Sequence, residues 1–278
     1  MKIDDYRHKK PRAALFIWAF TKGSLAPNPL PLTNKASWEV LKLHKDELRE
    51  DGSGYETHSL EGCRILLDFG VRDDPTLAAE ALHDTRESGK ITDEELKIGY
   101  GNDVAHLVDN QTKRDGELPE DYYSRVASDV RSVLGKGADR LSNLGTAVGT
   151  YSIPRLKKYS RETKEKILPM IEEARHTSLE FSDPLVSLRD GLERILKVID
   201  AYIEKAEKNE MLKELLRKHN IEIPKELFVD EPKAQATVPE PSNITALKSG
   251  DKITADNDRS PRGFIPLVDT VNRVVYKK

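Results

Sequence analysis

The sequence predicts an all-α protein, and three observations lead to that class. Charged residues make up 33% of the 278 residues and hydrophobic residues 37%, which is typical of a helix-rich protein with a modest core. Apolar residues recur at helical spacing along most of residues 10–220. Over the same range there is no hairpin signal and no alternation of strands with helices.

The first predicted helix is the apolar run at residues 13–20, which is too short to cross a bilayer. Prolines interrupt residues 24–34, and helical spacing resumes at residues 35–49. After a glycine-rich turn, residues 56–69 form the next predicted helix. We expect the following side chains to share buried faces of the last two helices: Trp38, Leu41 and Leu48 on one, and Leu60, Cys63 and Leu67 on the other.

Pro75 opens the next predicted helix, which runs through Leu82. Thr92 and Glu95 have the spacing of a capping box, so another helix begins there. The remaining helices are predicted at residues 122–144, 161–175, 184–204 and 205–219.

The composition changes after residue 220, which predicts a helical domain at residues 1–220 and a tail at 221–278. Residues 230–262 hold proline, serine, threonine and charged residues with few large apolar ones, as in a linker or disordered tail. Residues 264–276 are apolar again, and we expect them to pack on their own domain or to bind a protein partner.

The overall charge excludes some classes of partner. A net charge of −3 gives no strong field for nucleic acid or for an anionic membrane. The single cysteine, Cys63, excludes a disulfide within the chain and fits a reducing cytoplasm.

A histidine and an aspartate lie side by side in the segment EALHDTRES, as His83 and Asp84. Such a pair is commonly a surface feature at the end of a helix. Adjacent helical residues point about 100° apart, so both reach one metal ion only in a groove or at a helix end. Other helices would then supply further ligands, and His58 and Asp139 are the candidates.

The order of these residues resembles the HD-domain hydrolases of the RelA/SpoT type, which degrade the alarmones ppGpp and pppGpp. His58, the segment Leu82-His83-Asp84 and the segment ADRLSNL at 138–144 carry the resemblance. Residues 44–58 and 100–113 are similar to further family segments, and the similarity covers about residues 40–175. It implies an HD-domain helical bundle and a small alarmone hydrolase without a synthetase domain.

The resemblance also implies roles for individual residues. The metal ligands would be His58, His83, Asp84 and Asp139, and the metal would be Mn²⁺. Glu87 would help to activate the attacking water, Arg49 would pack on the guanine base, and Asn143 and Thr146 would face the ribose and phosphates, with Asn143 also assisting catalysis. The implied reaction is hydrolysis of the 3′-pyrophosphate of ppGpp to GDP and pyrophosphate, in the cytoplasm.

Five residues depart from the family pattern, and two of them are Gly54, which replaces a proline, and Ile167, which replaces a tyrosine. Ser88 replaces the aspartate of a Glu-Asp pair, and a hydroxyl is no base at neutral pH. Glu50 and Asp51 replace a lysine and a serine, and two carboxylates should repel an anionic nucleotide. These departures leave two other hypotheses open: a phosphohydrolase acting on another nucleotide, such as a nucleoside phosphate or an NADPH-like substrate, and a nucleotide-binding regulatory module with little turnover.

Overall fold

The computed structural model describes residues 30–44 and 47–223, and within them the chain is helical. The one β-type contact there is an isolated bridge between Leu48 and Gly54. The all-α class is therefore confirmed. The described helices are α1 (Pro31–Leu43), α2 (Glu56–Asp68), α3 (Asp74–Glu87), α4 (Asp93–Gln111), α5 (Pro119–Ala127), α6 (Val130–Gly145), α7 (Ile153–Glu162), α8 (Leu168–Thr177) and α9 (Ser182–Lys218), and a π-helical segment, Thr163–Ile167, joins α7 to α8.

Helix α3 is the central helix of the bundle. It packs against α1, α2, α4 and α6. Every residue from Thr76 to His83 is buried, so the helix has no solvent-facing side along these two turns. The run of alanines explains this position, because small side chains let four neighbouring helices approach.

Local capping fixes where several helices begin. The Asp73 carboxylate accepts a hydrogen bond from the backbone N–H of Thr76 at 3.0 Å, at the start of α3. The predicted capping box at the start of α4 is confirmed, because both of its reciprocal Thr92 and Glu95 hydrogen bonds are present.

The core consists of two clusters of buried side chains. One lies among α1, α3 and α4 and includes Cys63 of α2. The larger one joins α2 to α5 through α9 and includes Leu66, Leu134 and Leu188. Helices α2, α3 and α6 contact one another between these clusters, so the side chains in their interfaces are packed between the two clusters.

Helix α1 differs from its prediction. It begins at Pro31, since proline is accommodated in the first turn of a helix, and it ends at Leu43 rather than at residue 49. Trp38 is 50% exposed, and Leu48 is 66% exposed in the loop beyond the helix, so the predicted buried face was wrong for both. The face expected on α2 is confirmed, because Leu60, Cys63 and Leu67 are all buried.

Three later boundaries were also wrong. The predicted helix at 122–144 is two helices, because Asp129 has an extended backbone and caps α6 through the N–H of Arg131. The segments predicted at 184–204 and 205–219 form one helix, α9, since no proline interrupts it after its first turn. The segment predicted at 161–175 begins earlier, in α7, and contains the π-helical turn.

Two predicted features lie outside the described residues: the helix at 13–20 and nearly all of the tail at 221–278. The division at residue 220 stays a prediction. Among the described helices, none combines the length and the hydropathy needed to span a membrane.

Candidate active site

A cavity of about 340 Å³ opens between the loop after α1 and helices α2, α3, α6 and α7. The predicted metal ligands that it contains define its metal end, and its lining also includes Tyr151, Arg155 and Tyr159, which follow α6. All the residues predicted to contact substrate or to activate water line this cavity, and so do three of the four predicted metal ligands: Arg49, His58, Asp84, Glu87, Asp139, Asn143 and Thr146.

The four predicted metal ligands converge from three helices. His58 of α2 has its Nε2 3.1 Å from Oδ1 of Asp139 and 3.8 Å from Oδ2 of Asp84. His83 has its Nε2 3.2 Å from Oδ1 of Asp84 and 3.7 Å from Oδ1 of Asp139. One ligand atom each from His58, His83 and Asp84 lies within 4.8 Å of the other two. These three side chains can share one ion, and Asp139 contacts both imidazoles from α6.

The hydrogen bonds of the two histidines are compatible with binding of a metal ion. Nδ1 of His83 is 2.7 Å from the carbonyl oxygen of Glu80, so this nitrogen carries the proton and donates it. Its Nε2 is buried, makes no hydrogen bond among the described residues and faces Oδ1 of Asp84 at 3.2 Å, so it is placed to bind a metal ion beside that carboxylate. Burial lowers the pKa of His83, but Asp84 raises it well above its ordinary value. Nδ1 of His58 lies 2.9 Å from the Ser142 hydroxyl, which leaves Nε2 facing the carboxylates. Two imidazoles and two carboxylates suit a borderline divalent ion.

The two carboxylates are ionised, although Asp139 is buried and Asp84 is part-buried. Burial by itself raises the pKa of Asp139, but Lys136 and the two imidazoles hold the pKa well below its ordinary value. Burial also works against Asp84, and His83 and His58 lower its pKa overall. Both groups are thus anionic at neutral pH, as metal ligands must be.

Other side chains orient the candidate ligands. The Tyr55 hydroxyl donates to Oδ2 of Asp84 at 2.9 Å, and Lys136 donates to Oδ2 of Asp139 at 2.7 Å. Asn143 donates its amide to Oδ1 of Asp139 at 2.6 Å. Sequence reasoning assigned no role to Tyr55 or Lys136. Helical spacing was the available signal, since Lys136 precedes Asp139 by three residues and shares its face.

Glu80 was also missed. It lies one turn before His83, it is fully buried, and both its carboxyl oxygens lack a hydrogen-bond partner within the described part of the chain. Burial raises the pKa of Glu80 well above its ordinary value. The Glu80 side chain occupies the space left by the missing side chain of Gly62 in α2, where an added Cβ would lie 1.9 Å from Oε1 of Glu80.

The middle of the cavity is a hydrogen-bonded series that starts at the metal end. Asn143 bonds Asp139 through its nitrogen, and its Oδ1 accepts from the Arg49 guanidinium at 2.9 Å. Thr146 is part-buried one turn later, and its hydroxyl points toward the carbonyl of Asn143 at 3.4 Å. Arg49 is therefore held in the cavity by a residue that also contacts a candidate metal ligand.

Glu87 and Ser88, at the end of α3, have different roles. Glu87 is exposed and lines the cavity one turn after His83, where it can meet a water at the metal end. The Ser88 hydroxyl donates to the carbonyl of Asp84 at 2.7 Å, so it caps the end of α3 instead.

His44 and the acidic pair have partners in the loop after α1 or across the cavity. His44 is fully buried, stacks on the Tyr55 ring at 4.7 Å and contacts Glu47, so it braces the loop. Glu50 forms an ion pair with Arg155 of α7. Asp51 accepts from the backbone N–H of Ser53 at 2.9 Å. The predicted repulsion of an anionic nucleotide is thus weakened, because both carboxylates already have partners.

A second cavity of about 450 Å³ adjoins the metal end of the first. The two share Lys113, Lys136, Asp139, Asn143 and Tyr159. The second cavity adds five cations to its lining, Arg114, Arg140, Lys158, Arg161 and Lys166, against three carboxylates, Glu117, Glu162 and Glu165. Positive charge therefore increases from the metal end into this cavity, which suits phosphate groups.

Comparison with curated proteins finds relatives of the RelA/SpoT family. The chain is 35% identical over 150 residues to a probable GTP pyrophosphokinase of Mycobacterium leprae, covering 51% of this chain and 19% of that protein. It is 34% identical over 135 residues to the guanosine-3′,5′-bis(diphosphate) 3′-pyrophosphohydrolase of Aquifex aeolicus, covering 46% and 19% of the two chains. It is 27% identical over 212 residues to the GTP pyrophosphokinase rsh of Brucella melitensis, covering 68% and 28%. The chain thus spans less than a third of the length of each of these relatives.

Comparison with solved structures confirms the fold. A metazoan ortholog of SpoT, described as hydrolysing ppGpp, aligns with a TM-score of 0.52 at 22% identity, over 62% of this chain and 97% of that one. No protein-family model matches the chain. The resemblance predicted from the motifs is confirmed by these comparisons.

Proposed function

We propose, from the premise that this chain carries a helical domain of the RelA/SpoT type, that it hydrolyses the 3′-pyrophosphate of ppGpp with a bound divalent ion, Mn²⁺. The observation that carries the proposal is the convergence of His58, His83, Asp84 and Asp139 at one end of a cavity, with the Nε2 atoms of both imidazoles facing the carboxylates. Pure binding of a nucleotide needs no such set of ligands, whereas the set suits metal-assisted hydrolysis at phosphorus.

The bound ion would supply Lewis acidity, which lowers the pKa of water and neutralises charge on the phosphate oxygens. Glu87 accepts the proton of the attacking water, since it lies on the cavity side one turn after His83. A bond forms between the water oxygen and the phosphorus attached to the ribose 3′-oxygen. The bond from that phosphorus to the 3′-oxygen breaks, the 3′-oxygen takes up a proton, and GDP and pyrophosphate result.

The charges along the cavities orient the substrate. Lys113 and Lys136 border both cavities next to Asp139, so they bind the pyrophosphate end. Arg49 lies on the other side of Asn143 and packs its planar guanidinium on the guanine base. Asn143 and Thr146 face the ribose between them, and Asn143 keeps Asp139 in place during the reaction. The proposal places the enzyme in the cytoplasm, where Cys63 stays a buried free thiol.

The test is release of pyrophosphate from ppGpp by the purified full-length chain with Mn²⁺. We expect pyrophosphate and GDP, loss of turnover with EDTA, and recovery when Mn²⁺ is restored. Asp139→Ala should abolish turnover while keeping a helical circular dichroism spectrum. Asp68→Ala removes an exposed carboxylate of α2 that pairs with Arg64, and it should leave turnover unchanged.

The alternatives give different readouts in the same assay. Release of orthophosphate from a nucleoside phosphate or from NADPH, with ppGpp untouched, would replace the proposed substrate. Binding of ppGpp without release of any phosphate product would make the chain a regulatory module. Full activity of Asp139→Ala would remove that residue from the ligand set.

A further inference from the structure

We propose that Glu50 reads the base of the nucleotide, and that its carboxylate accepts hydrogen bonds from the two neighbouring donors of guanine, N1–H and N2–H. This inference rests on the proposed function and adds a residue that determines specificity for guanine over adenine. It starts from an ion pair that crosses the cavity, between Glu50 in the loop after α1 and Arg155 of α7.

The position of Glu50 marks the base end of the cavity. A hydrogen-bonded series leads from Asp139 to Asn143 and then to Arg49, the residue proposed to pack on the base. Glu50 follows Arg49 in the chain, lines the same cavity and pairs with Arg155 of α7. The cations that suit phosphate, Lys113 and Lys136, line both cavities, and Lys136 pairs with Asp139. The Glu50 carboxylate and the Arg155 guanidinium neutralise each other, and an uncharged pair suits the base of the nucleotide better than a phosphate.

The surroundings of Glu50 suit a planar ring. The Arg155 guanidinium lies 3.7 Å from the centroid of the Tyr151 ring, and Tyr151 lines the same cavity. Stacking on the tyrosine fixes the guanidinium plane, and the guanidinium in turn fixes the Glu50 carboxylate. One carboxylate oxygen of Glu50 contacts Arg155, and each oxygen has lone pairs left for further donors.

Base chemistry then sets the preference. A carboxylate only accepts hydrogen bonds, and the Watson–Crick edge of guanine offers two adjacent N–H donors to it. Adenine offers one donor and one acceptor at the same edge, so its N1 lone pair would face an oxygen of Glu50. A side-chain amide has one acceptor and one donor, and it therefore complements adenine instead.

The experiment compares binding of ppGpp and its adenine counterpart, ppApp, to the full-length chain in EDTA, where neither nucleotide is hydrolysed. Isothermal titration gives the ratio of the two dissociation constants. We expect the unmodified chain to favour guanine about tenfold or more, since a good bidentate contact discriminates bases by that order. Glu50→Gln should invert the preference, and Glu50→Ala should bring the ratio close to one.

Glu207→Gln is the matched control. Glu207 of α9 forms an exposed ion pair with Lys157, so the same substitution breaks a similar contact of α7 away from this cavity. The ratio should not change in this variant. Two results would overturn the inference: an unchanged ratio in Glu50→Gln, or equally weakened binding of both nucleotides in both Glu50 variants. Either result would show that Glu50 only joins the loop to α7.

The two proposals fail separately. If the chain prefers guanine through Glu50 but releases no pyrophosphate in Mn²⁺, the proposed hydrolase activity is overturned and the role of Glu50 in base recognition is kept. Pyrophosphate release with a base preference that ignores Glu50 does the opposite.

Discussion

Tyr55 controls the geometry of a candidate metal ligand through one hydroxyl. It donates to Asp84 at 2.9 Å while its ring stacks on the buried His44. Removal of a group that orients a metal ligand typically weakens metal binding 10- to 100-fold. We therefore expect Tyr55→Phe to weaken Mn²⁺ binding about 10-fold, measured by isothermal titration, with little loss of helix.

Tyr123→Phe is the matched variant for this measurement. The Tyr123 hydroxyl also donates to a carboxylate, that of Glu162, but that carboxylate is no candidate ligand. Mn²⁺ affinity should stay the same in Tyr123→Phe. Equal affinities in Tyr55→Phe and the unmodified chain would mean that Asp84 needs no help from Tyr55.

At the same scale, Glu162 makes stability depend on pH. Burial raises its pKa, but Arg140 and the Tyr123 hydroxyl lower it, and the net pKa is below the ordinary value of 4.5. A depressed pKa means that ionised Glu162 stabilises the folded state above pH 4.5, and that this stability is lost as the pH falls through the lower, folded pKa. Below about pH 4.5, then, protonation removes the contribution.

We expect Glu162→Gln to cost about 1.5–3 kcal/mol at pH 7, because it removes hydrogen bonds to a charged group. Its stability should then fall less than that of the unmodified chain between pH 6 and pH 3, in urea unfolding followed by circular dichroism. Glu165→Gln, an exposed change on the following turn, should track the unmodified chain at every pH. Parallel curves for Glu162→Gln and the unmodified chain would contradict the assignment.

Helices α2 and α3 fit together at one glycine. A Cβ on Gly62 would lie 1.9 Å from Oε1 of Glu80, and Glu80 is fully buried and cannot swing into solvent. Gly62→Ala should therefore lower the free energy of unfolding by about 1–3 kcal/mol, as overpacked cores do. In Glu80→Ala the same substitution should cost little, because the conflicting carboxyl is gone.

A double-mutant cycle from urea unfolding measures this coupling. Gly145→Ala serves as the control, since nothing lies within 4 Å of its added Cβ, and alanine there should be neutral or slightly stabilising. If Gly62→Ala lowers the free energy of unfolding equally with and without the Glu80 side chain, the two helices adjust their spacing instead.

On the scale of the whole molecule, the candidate ligands connect three helices that are distant in sequence. His58 lies on α2, the His-Asp pair on α3 and Asp139 on α6. An ion that binds only the folded arrangement stabilises it by about 2.7 kcal/mol at a concentration 100 times its dissociation constant. For a domain of this size that energy corresponds to a rise of roughly 5–10 °C in the melting temperature.

We expect Mn²⁺ to raise the melting temperature of the full-length chain by this amount, and EDTA to reverse the shift. Differential scanning calorimetry measures it. Asp139→Ala should melt at the same temperature with and without Mn²⁺, whereas Asp68→Ala should keep the shift. A Mn²⁺-dependent rise of equal size in Asp139→Ala would place the ion elsewhere.

The sequence by itself determined the helical class, the capping box at Thr92 and the chain order of the His and Asp candidates, because these signals span only a few residues. Helical spacing and caps are set by neighbours three or four positions away, so they can be read locally. Boundaries failed where a local choice competed with a longer pattern, as at Asp129, whose side chain caps α6 and divides the predicted helix.

Only the tertiary structure decided which side chains share the cavity and what each one contacts. His58 and Ser142 are 84 residues apart, Arg49 and Asn143 are 94 apart, and Glu50 and Arg155 are 105 apart. Such contacts depend on how α2, α3, α6 and α7 pack, and packing is the sum of many buried contacts that no short segment contains. The same packing joined Glu50 to Arg155 and buried Glu80 against Gly62.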